Sequence, residues 1–218
     1  MKYSVLIMAA GKGTRLKLEY NKIFYKINDH YIIEYSVNYF VQDSRCESVC
    51  IVCSHNDYDQ IKTLFNDIKI YVVIGGSTRQ QSVFNGLMKI NSEYVLIHDA
   101  ARPFINGNVI DELLHKLPEY QACSLALPSK NSLVEVDGNR FVKSINRRNI
   151  LQVQTPQAFK TELIKHAHQK AMEDHFEVTD DITLVAAYTN VTPRYIIGDE
   201  RSIKLTTPND IQILEVIL

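Results

Sequence analysis

Short apolar runs rich in β-branched residues alternate along this chain with segments whose apolar residues recur every three or four positions. The runs are Tyr3–Met8, Ser48–Cys53, Lys69–Ile74, Tyr94–His98 and Cys123–Leu127. Bounded by turn residues, such runs predict buried strands. Helical periodicity marks Ile32–Val41, Asp57–Asn66, Arg79–Lys89 and Asn108–Lys116. Ile33, Val37, Phe40 and Val41 share one face of the first, and Ile61, Leu64 and Phe65 one face of the second. Strands alternating with helices predict an α/β fold: a Rossmann-like, mostly parallel open sheet with helices on both faces and right-handed crossovers.

The pattern breaks at Pro128. Leu133–Val136 and Phe141–Ile145 flank Asp137-Gly138-Asn139-Arg140, which predicts a β-hairpin turning on Asp-Gly. Such a hairpin is either a flap or an arm that meets another subunit. Beyond it the sequence predicts a strand through Val153, a turn at Thr155-Pro156-Gln157, helices near Glu162–Glu173 and Asp180–Tyr188, and a short strand at Arg194–Gly198. Thr207-Pro208 opens a last helix, with threonine at the cap and proline at the first helical position. With no repeat or linker visible, residues 1–218 read as one domain with an arm at about 129–149.

Charge and composition narrow the field. A net charge of −1 gives no global basic field for nucleic acid, so an anionic ligand must be met by local cations. The first apolar run, Tyr3–Ala10, is too short to span a membrane and lacks a signal-cleavage pattern, so a cytoplasmic protein is expected. The four cysteines have no zinc spacing. Cys50 and Cys53 read as reduced core thiols rather than a metal or redox pair.

Three segments at predicted strand ends carry candidate chemistry. Ala9-Ala10-Gly11-Lys12-Gly13-Thr14-Arg15-Leu16 follows the first strand directly. Glycines let backbone approach a ligand, and successive N–H groups form an anion nest. Arg15 can fork two phosphate oxygens, and Lys22 can add a second cation. The segment lacks the third glycine of a dinucleotide fingerprint and the Gly-Lys-Ser/Thr of a Walker loop. In Gly75-Gly76-Ser77-Thr78-Arg79-Gln80-Gln81-Ser82, backbone groups and the Ser82 hydroxyl can read a base edge, while Arg79 can cap a helix or contact phosphate. In His98-Asp99-Ala100-Ala101-Arg102-Pro103, Asp99 can accept substrate hydroxyls, hold a metal or cap a helix, and Arg102 can hold a phosphate. His98 reads as a satisfied core histidine. Lys204, in an apolar strand-like run, either snorkels or points at a phosphate near the last helix. Asp180 and Asp181 read most simply as an acidic pair at a helix start.

Taken in order, these motifs resemble the 2-C-methyl-D-erythritol 4-phosphate cytidylyltransferases of isoprenoid biosynthesis. Gln154-Thr155-Pro156-Gln157-Ala158-Phe159, Thr179-Asp180-Asp181 and Ile203-Lys204-Leu205-Thr206-Thr207-Pro208-Asn209-Asp210 complete the set across nearly the whole chain. The resemblance implies a nucleotidyltransferase fold, CTP and a small polyol phosphate as substrates, Mg²⁺ as cofactor, and a homodimer joined by the β-arm. It implies that Arg15 and Lys22 stabilise the transition state, and that Ala9, Ala10, Gly11 and Gly13 surround CTP. Gly76 and Ser82 would read cytosine. Asp99, Arg102, Ser132, Thr155 and Lys204 would line the polyol phosphate pocket, with Arg147 reaching in from the partner subunit. Attack of the polyol phosphate on the α-phosphorus of CTP would then release pyrophosphate directly.

The sequence departs from the family pattern at Asn21-Lys22-Ile23, where Pro-Lys-Gln is usual, and in the arm at Asn131-Ser132 and Asn146-Arg147. Ribitol 5-phosphate cytidylyltransferases share most of the motifs and are the alternative enzyme. A sugar-1-phosphate nucleotidyltransferase and a non-catalytic nucleotide-binding module are the more distant alternatives.

Overall fold

The computed structural model describes every residue except Lys12 and Lys17, with the backbone but not the side chain of Thr14. Lys12 of the glycine-rich segment therefore lies outside the described residues.

Seven strands form the main sheet in the order β11-β7-β10-β6-β1-β4-β5. Their ranges are β1 Tyr3–Met8, β4 Cys46–Cys53, β5 Ile70–Ile74, β6 Tyr94–Asp99, β7 Ala122–Pro128, β10 Leu151–Lys160 and β11 Arg194–Ile197. β1 pairs in parallel with β4 and β6, β4 with β5, and β7 with β11. β10 runs antiparallel between β6 and β7. The expected mostly parallel sheet is thus present, with one reversed strand at its middle.

Seven helices complete the fold: α1 Ile32–Gln42, α2 Tyr58–Leu64, α3 Arg79–Leu87, α4 Gly107–Tyr120, α5 Thr161–Glu173, α6 Asp181–Tyr188 and α7 Pro208–Ile217 among the described residues. Successive side chains of a strand point to opposite faces. Tyr3, Val5 and Ile7 of β1 join Phe40 of α1 and Leu113 of α4 on one face. Leu6 joins Val83 of α3, Ala167 of α5 and Leu184 of α6 on the other. Burial on both faces explains why the central strands are continuous apolar runs rather than alternating ones. Gly86 lets α3 lie close, since a Cβ there would come 2.8 Å from Val52 Cγ2. A third cluster joins Leu214 of α7 to Leu16, Ile32, Ala101 and Leu205, and so ties together the loops that carry Arg15 and Lys204.

Three sequence expectations are corrected. Thr155-Pro156-Gln157 is no turn but lies inside ten-residue β10, where the register against β7 slips between Val153 and Gln157. Proline has no N–H for the ladder, and a bulge accommodates it without ending the strand. The run around Lys204 forms no strand, because β11 ends at Ile197 and residues 202–206 are extended loop before α7. A small antiparallel ribbon, β2 Lys26–Ile27 with β3 His30–Tyr31, occupies a stretch for which the pattern predicts nothing. It turns on Asn28 and Asp29, both with positive φ, as a tight hairpin requires.

The expected arm is present as β8 Leu133–Asp137 paired with β9 Arg140–Ile145, a separate two-stranded sheet. Val134, Val136, Phe141 and Val142 on it are exposed. No helix among the described residues is long and apolar enough to cross a membrane.

Candidate active site

The loops after β1, β5 and β6 leave the carboxyl ends of parallel strands in the same half of the sheet, where open α/β sheets bind ligands. Gly13 adopts φ +60°, and a Cβ on it would sit 3.2 Å from Lys22 Cγ. The glycine loop therefore rests on the aliphatic stem of Lys22, and only glycine takes this conformation without strain. A Cβ on Gly11 would meet nothing within 4 Å, so that side of the loop is open. Ala9 donates its N–H to the Val52 carbonyl at 2.7 Å, anchoring the loop's start to β4. Arg15 is exposed in a 3-10 turn, Thr14–Leu16.

Lys22 is buried at 8% exposure in a second 3-10 turn, Lys22–Phe24, and its Nζ donates to the Leu205 carbonyl. Burial, and then the charges of Lys204 and Arg15, pull its pKa down to about 8, with Asp99 opposing them. Arg15, seven residues before Lys22, and Lys204, far away in the sequence, thus both press on the Lys22 charge.

A directed set of hydrogen bonds fixes the loop after β6. His98 is fully buried, and burial lowers its pKa to about 4, so the ring is neutral. Its Nε2 lies 3.0 Å from the Arg102 carbonyl, which can only accept, so Nε2 carries the proton. Nδ1 then accepts from Thr155 Oγ1 at 3.2 Å, and that oxygen accepts the Asp99 N–H at 3.1 Å. His98 is the core histidine the sequence suggested. Thr155 reaches it because reversed β10 runs alongside β6.

Asp99 Oδ2 accepts from Lys204 Nζ at 2.7 Å, and Arg79 Nη2 stands 4.0 Å from Oδ1. Burial would raise the Asp99 pKa, but the Lys204 and Arg79 charges and the Lys204 hydrogen bond outweigh it and hold the group at about 2. Arg102 donates Nη1 to the Ser202 carbonyl, while its buried Nε has no partner among the described residues. Burial pulls the Arg102 pKa down, and Asp99 opposes that shift.

Beside these residues, the Gly76 N–H donates to Ser82 Oγ at 3.0 Å, and that hydroxyl donates to the Thr78 carbonyl at 2.8 Å. Ser82 therefore shapes the loop, and the Gly76 carbonyl receives only a long 3.4 Å contact from the same hydroxyl. Gly75 packs this loop against the glycine loop, since a Cβ on it would lie 2.7 Å from Ser82 Oγ and 3.2 Å from Ala10 Cβ.

Arg79 differs from its expected role, while Asp181 holds its expected place in the first turn of α6 and makes a further contact. Arg79 Nη2 lies 2.8 Å from Asp181 Oδ2, an ion pair whose angles do not make a hydrogen bond. Asp181 Oδ1 lies 3.1 Å from His168 Nε2, and both residues are buried. Burial would raise the Asp181 pKa, but Arg79 holds it low. Asp180 alone caps α6, accepting the Thr183 N–H at 3.2 Å. Spacing gave no sign of this network, because its members are adjacent only in the fold.

Ser132 and Arg147 stand apart. Both are exposed on the arm, and Arg147 Nη1 donates to the Lys130 carbonyl at 2.6 Å. Neither makes a hydrogen bond or ion pair to the cluster among the described residues.

No group of three or more His, Cys, Asp or Glu residues among the described ones could hold a metal ion. Asp99, the one carboxylate suggested for that role, is already engaged by Lys204. Magnesium in nucleotide sites takes one or two carboxylates with substrate phosphates and water, so Asp99 would have to give up its Lys204 contact to ligate it.

A doubly wound α/β sheet with a glycine-rich first loop and clustered cations at its strand ends is the arrangement of a nucleotidyltransferase. The family model described as 2-C-methyl-D-erythritol 4-phosphate cytidylyltransferase (IspD) matches residues 3–218, and the chain belongs to that family. The enzyme of that name from Halalkalibacterium halodurans is 37% identical over 223 residues, covering 100% of this chain and 97% of the relative. The crystal structure of 4-diphosphocytidyl-2C-methyl-D-erythritol synthase from Anaerococcus prevotii superposes with a TM-score of 0.87 at 28% identity, covering 99% of this chain and 95% of that one. The Francisella tularensis 2-C-methyl-D-erythritol 4-phosphate cytidylyltransferase gives 0.86 at 27% identity, covering 100% of both chains.

Proposed function

We infer that the chain transfers CMP from CTP to 2-C-methyl-D-erythritol 4-phosphate, with the cluster around Lys22 and Lys204 as its reaction centre. The observation that carries this is that buried Lys22 bonds the Leu205 carbonyl next to Lys204, whose own Nζ lies 2.7 Å from Asp99 Oδ2, beyond the glycine loop that rests on the Lys22 stem. A phosphate oxygen of the polyol attacks the α-phosphorus of CTP, the bond to the β-phosphate breaks, and pyrophosphate leaves. The nucleophile is already an anion, so no general base is needed. The barrier is repulsion between anions and charge on the five-coordinate phosphorus, which fixed cations lower.

Arg15 and Lys22 face the triphosphate over the loop from Ala9 to Gly13. The Gly76 carbonyl accepts from the amino group of cytosine, with Ser82 holding the loop. Lys204 and Arg102 receive the incoming phosphate, while Asp99 and Thr155 meet polyol hydroxyls. Magnesium bound with CTP would supply further positive charge to the triphosphate. The exposed apolar side chains of the β8–β9 arm support a homodimer in which the arm carries Arg147 and Ser132 to the partner's pocket. The setting is the cytoplasm.

Pyrophosphate release from CTP, measured with 2-C-methyl-D-erythritol 4-phosphate and with ribitol 5-phosphate, tests the assignment. Turnover is expected with the first at a kcat/KM at least about tenfold higher, the discrimination one extra or missing group gives. Preference for ribitol 5-phosphate, or no turnover with either, would reject it. Gly75→Ala is expected to wedge the cytosine loop from the glycine loop and raise the KM for CTP about tenfold, kcat changing less. An unchanged KM would mean that the two loops do not have to touch.

A further inference from the structure

We propose that Asn21 is a positioning residue for Lys22, acting through a tether to Asp57. Asn21 caps the 3-10 turn that begins with Lys22, and its Oδ1 accepts the Ile23 N–H at 3.3 Å. Its Nδ2 donates twice, to the Ala9 carbonyl at 3.0 Å and to Asp57 Oδ2 at 2.9 Å. Ala9 starts the glycine loop after β1, and Asp57 lies just beyond β4. Asp57 is itself held, its Oδ2 accepting from Ser54 Oγ at 2.8 Å and its N–H donating back to that hydroxyl at 3.2 Å. One side chain therefore ties the turn carrying Lys22 to the carboxyl ends of two adjoining central strands.

The backbone explains why this position calls for such a device. Asn21 has φ −65° and ψ 128°. Proline would impose that φ through its ring; asparagine leaves it free to rotate. The chain thus holds the turn by side-chain bonds, one of them charge-assisted, where a ring would hold it by covalent restraint. Lys22 has no other polar anchor of its own than the Leu205 carbonyl among the described residues. A small rotation of the turn carries Nζ away from the phosphate site, and a displacement of about 1 Å can cost about a hundredfold in rate.

Helix capping alone would need only the Oδ1 acceptor. Asn21→Asp separates the two roles, since it keeps the acceptor, deletes both donated bonds and sets a second carboxylate against Asp57. Lysine acylation by an amine-reactive ester, followed by mass spectrometry on the ligand-free protein, reads the position of Lys22 directly. Lys165 serves as internal reference, its Nζ donating to the Ile90 carbonyl away from this turn. In Asn21→Asp, Lys22 is expected to label at least about fivefold faster relative to Lys165, as a locally opened site does. Asp57→Asn placed in the same protein allows a reversed bond and is expected to bring the rate back at least halfway.

The inference rests on the functional reading for its kinetic half. There, Asn21→Asp is expected to lower kcat about tenfold to a hundredfold with the KM for CTP within about threefold of the parent. Unchanged Lys22 labelling, or equal acceleration at Lys165, would overturn the tether. Failure of the parent protein to turn over CTP would overturn the functional reading and leave the labelling to decide this one.

Discussion

Lys22→Met is expected to lose at least about a thousandfold in turnover at saturating CTP, the lower end of what a transition-state cation contributes to phosphoryl transfer. That loss corresponds to about 4 kcal/mol of barrier. Methionine keeps the stem on which Gly13 rests, so the fold is retained while the charge is removed. A second signature separates charge from shape. The folded pKa of Lys22 is pulled down to about 8, by burial first and by Lys204 and Arg15 after it. An unfolded lysine titrates near about 10.4. Between these values the unfolded chain binds more protons, so stability gained from deprotonating Lys22 grows as pH rises, while below about 8 the full cost of the buried ammonium is present. The stability of the parent relative to the variant, read from denaturation midpoints, should therefore rise from about pH 8 to 10. Over the same range the parent's kcat/KM for CTP should fall, because a neutral amine cannot balance phosphate charge. Turnover within tenfold of the parent would remove Lys22 from the reaction.

Lys204→Met is expected to act on the other substrate. The KM for the polyol phosphate should rise about thirtyfold or more, a loss of about 2 kcal/mol of binding that one charge-assisted contact supplies. Unlike the first variant it should also destabilise the fold, because Asp99 keeps its burial and loses its nearest cation. Complete loss of a buried partner costs about 3–5 kcal/mol, and with Arg79 still close to Asp99 and Lys204 partly exposed, about 1–2 kcal/mol is expected. The sign follows from Asp99, whose folded pKa is held at about 2. Its contribution is present above the unfolded carboxylate value of about 3.9 and is lost as pH falls toward 2. The stability gap between parent and variant should therefore be widest above pH 4 and close toward pH 2. A pH-independent gap would mean that Lys204 supports the fold by packing alone.

The central strands could be read from the sequence because Val5–Ile7, Val49–Cys53 and Val95–Ile97 are unbroken apolar runs, buried on both faces of the sheet. The glycine loop and the nearness of Lys22 to it were equally legible, since both lie in one short stretch after a strand. Thr155 was read as a polyol-pocket residue on a turn, because proline is the strongest local sign of one. Only pairing with β6 and β7 on either side could overrule that signal. Arg79 and Asp181 could not be foreseen as partners, since nothing in the order of residues announces an ion pair between the starts of two helices. The same holds for Asn21, which looked like the loss of a rigid residue and proves to make three hydrogen bonds.

The buried sulfurs have a practical meaning. Cys50 packs on one side of the sheet and Cys53 on the other, since strand neighbours three apart face opposite ways. Burial raises Cys46, Cys50 and Cys53 to about 12 and Cys123 to about 11. All four are protonated at neutral pH, and none is poised to attack an electrophile. Oxidants and alkylating agents can reach them only in molecules whose sheet has already come apart, so this enzyme carries its thiols through oxidative stress as inert filling.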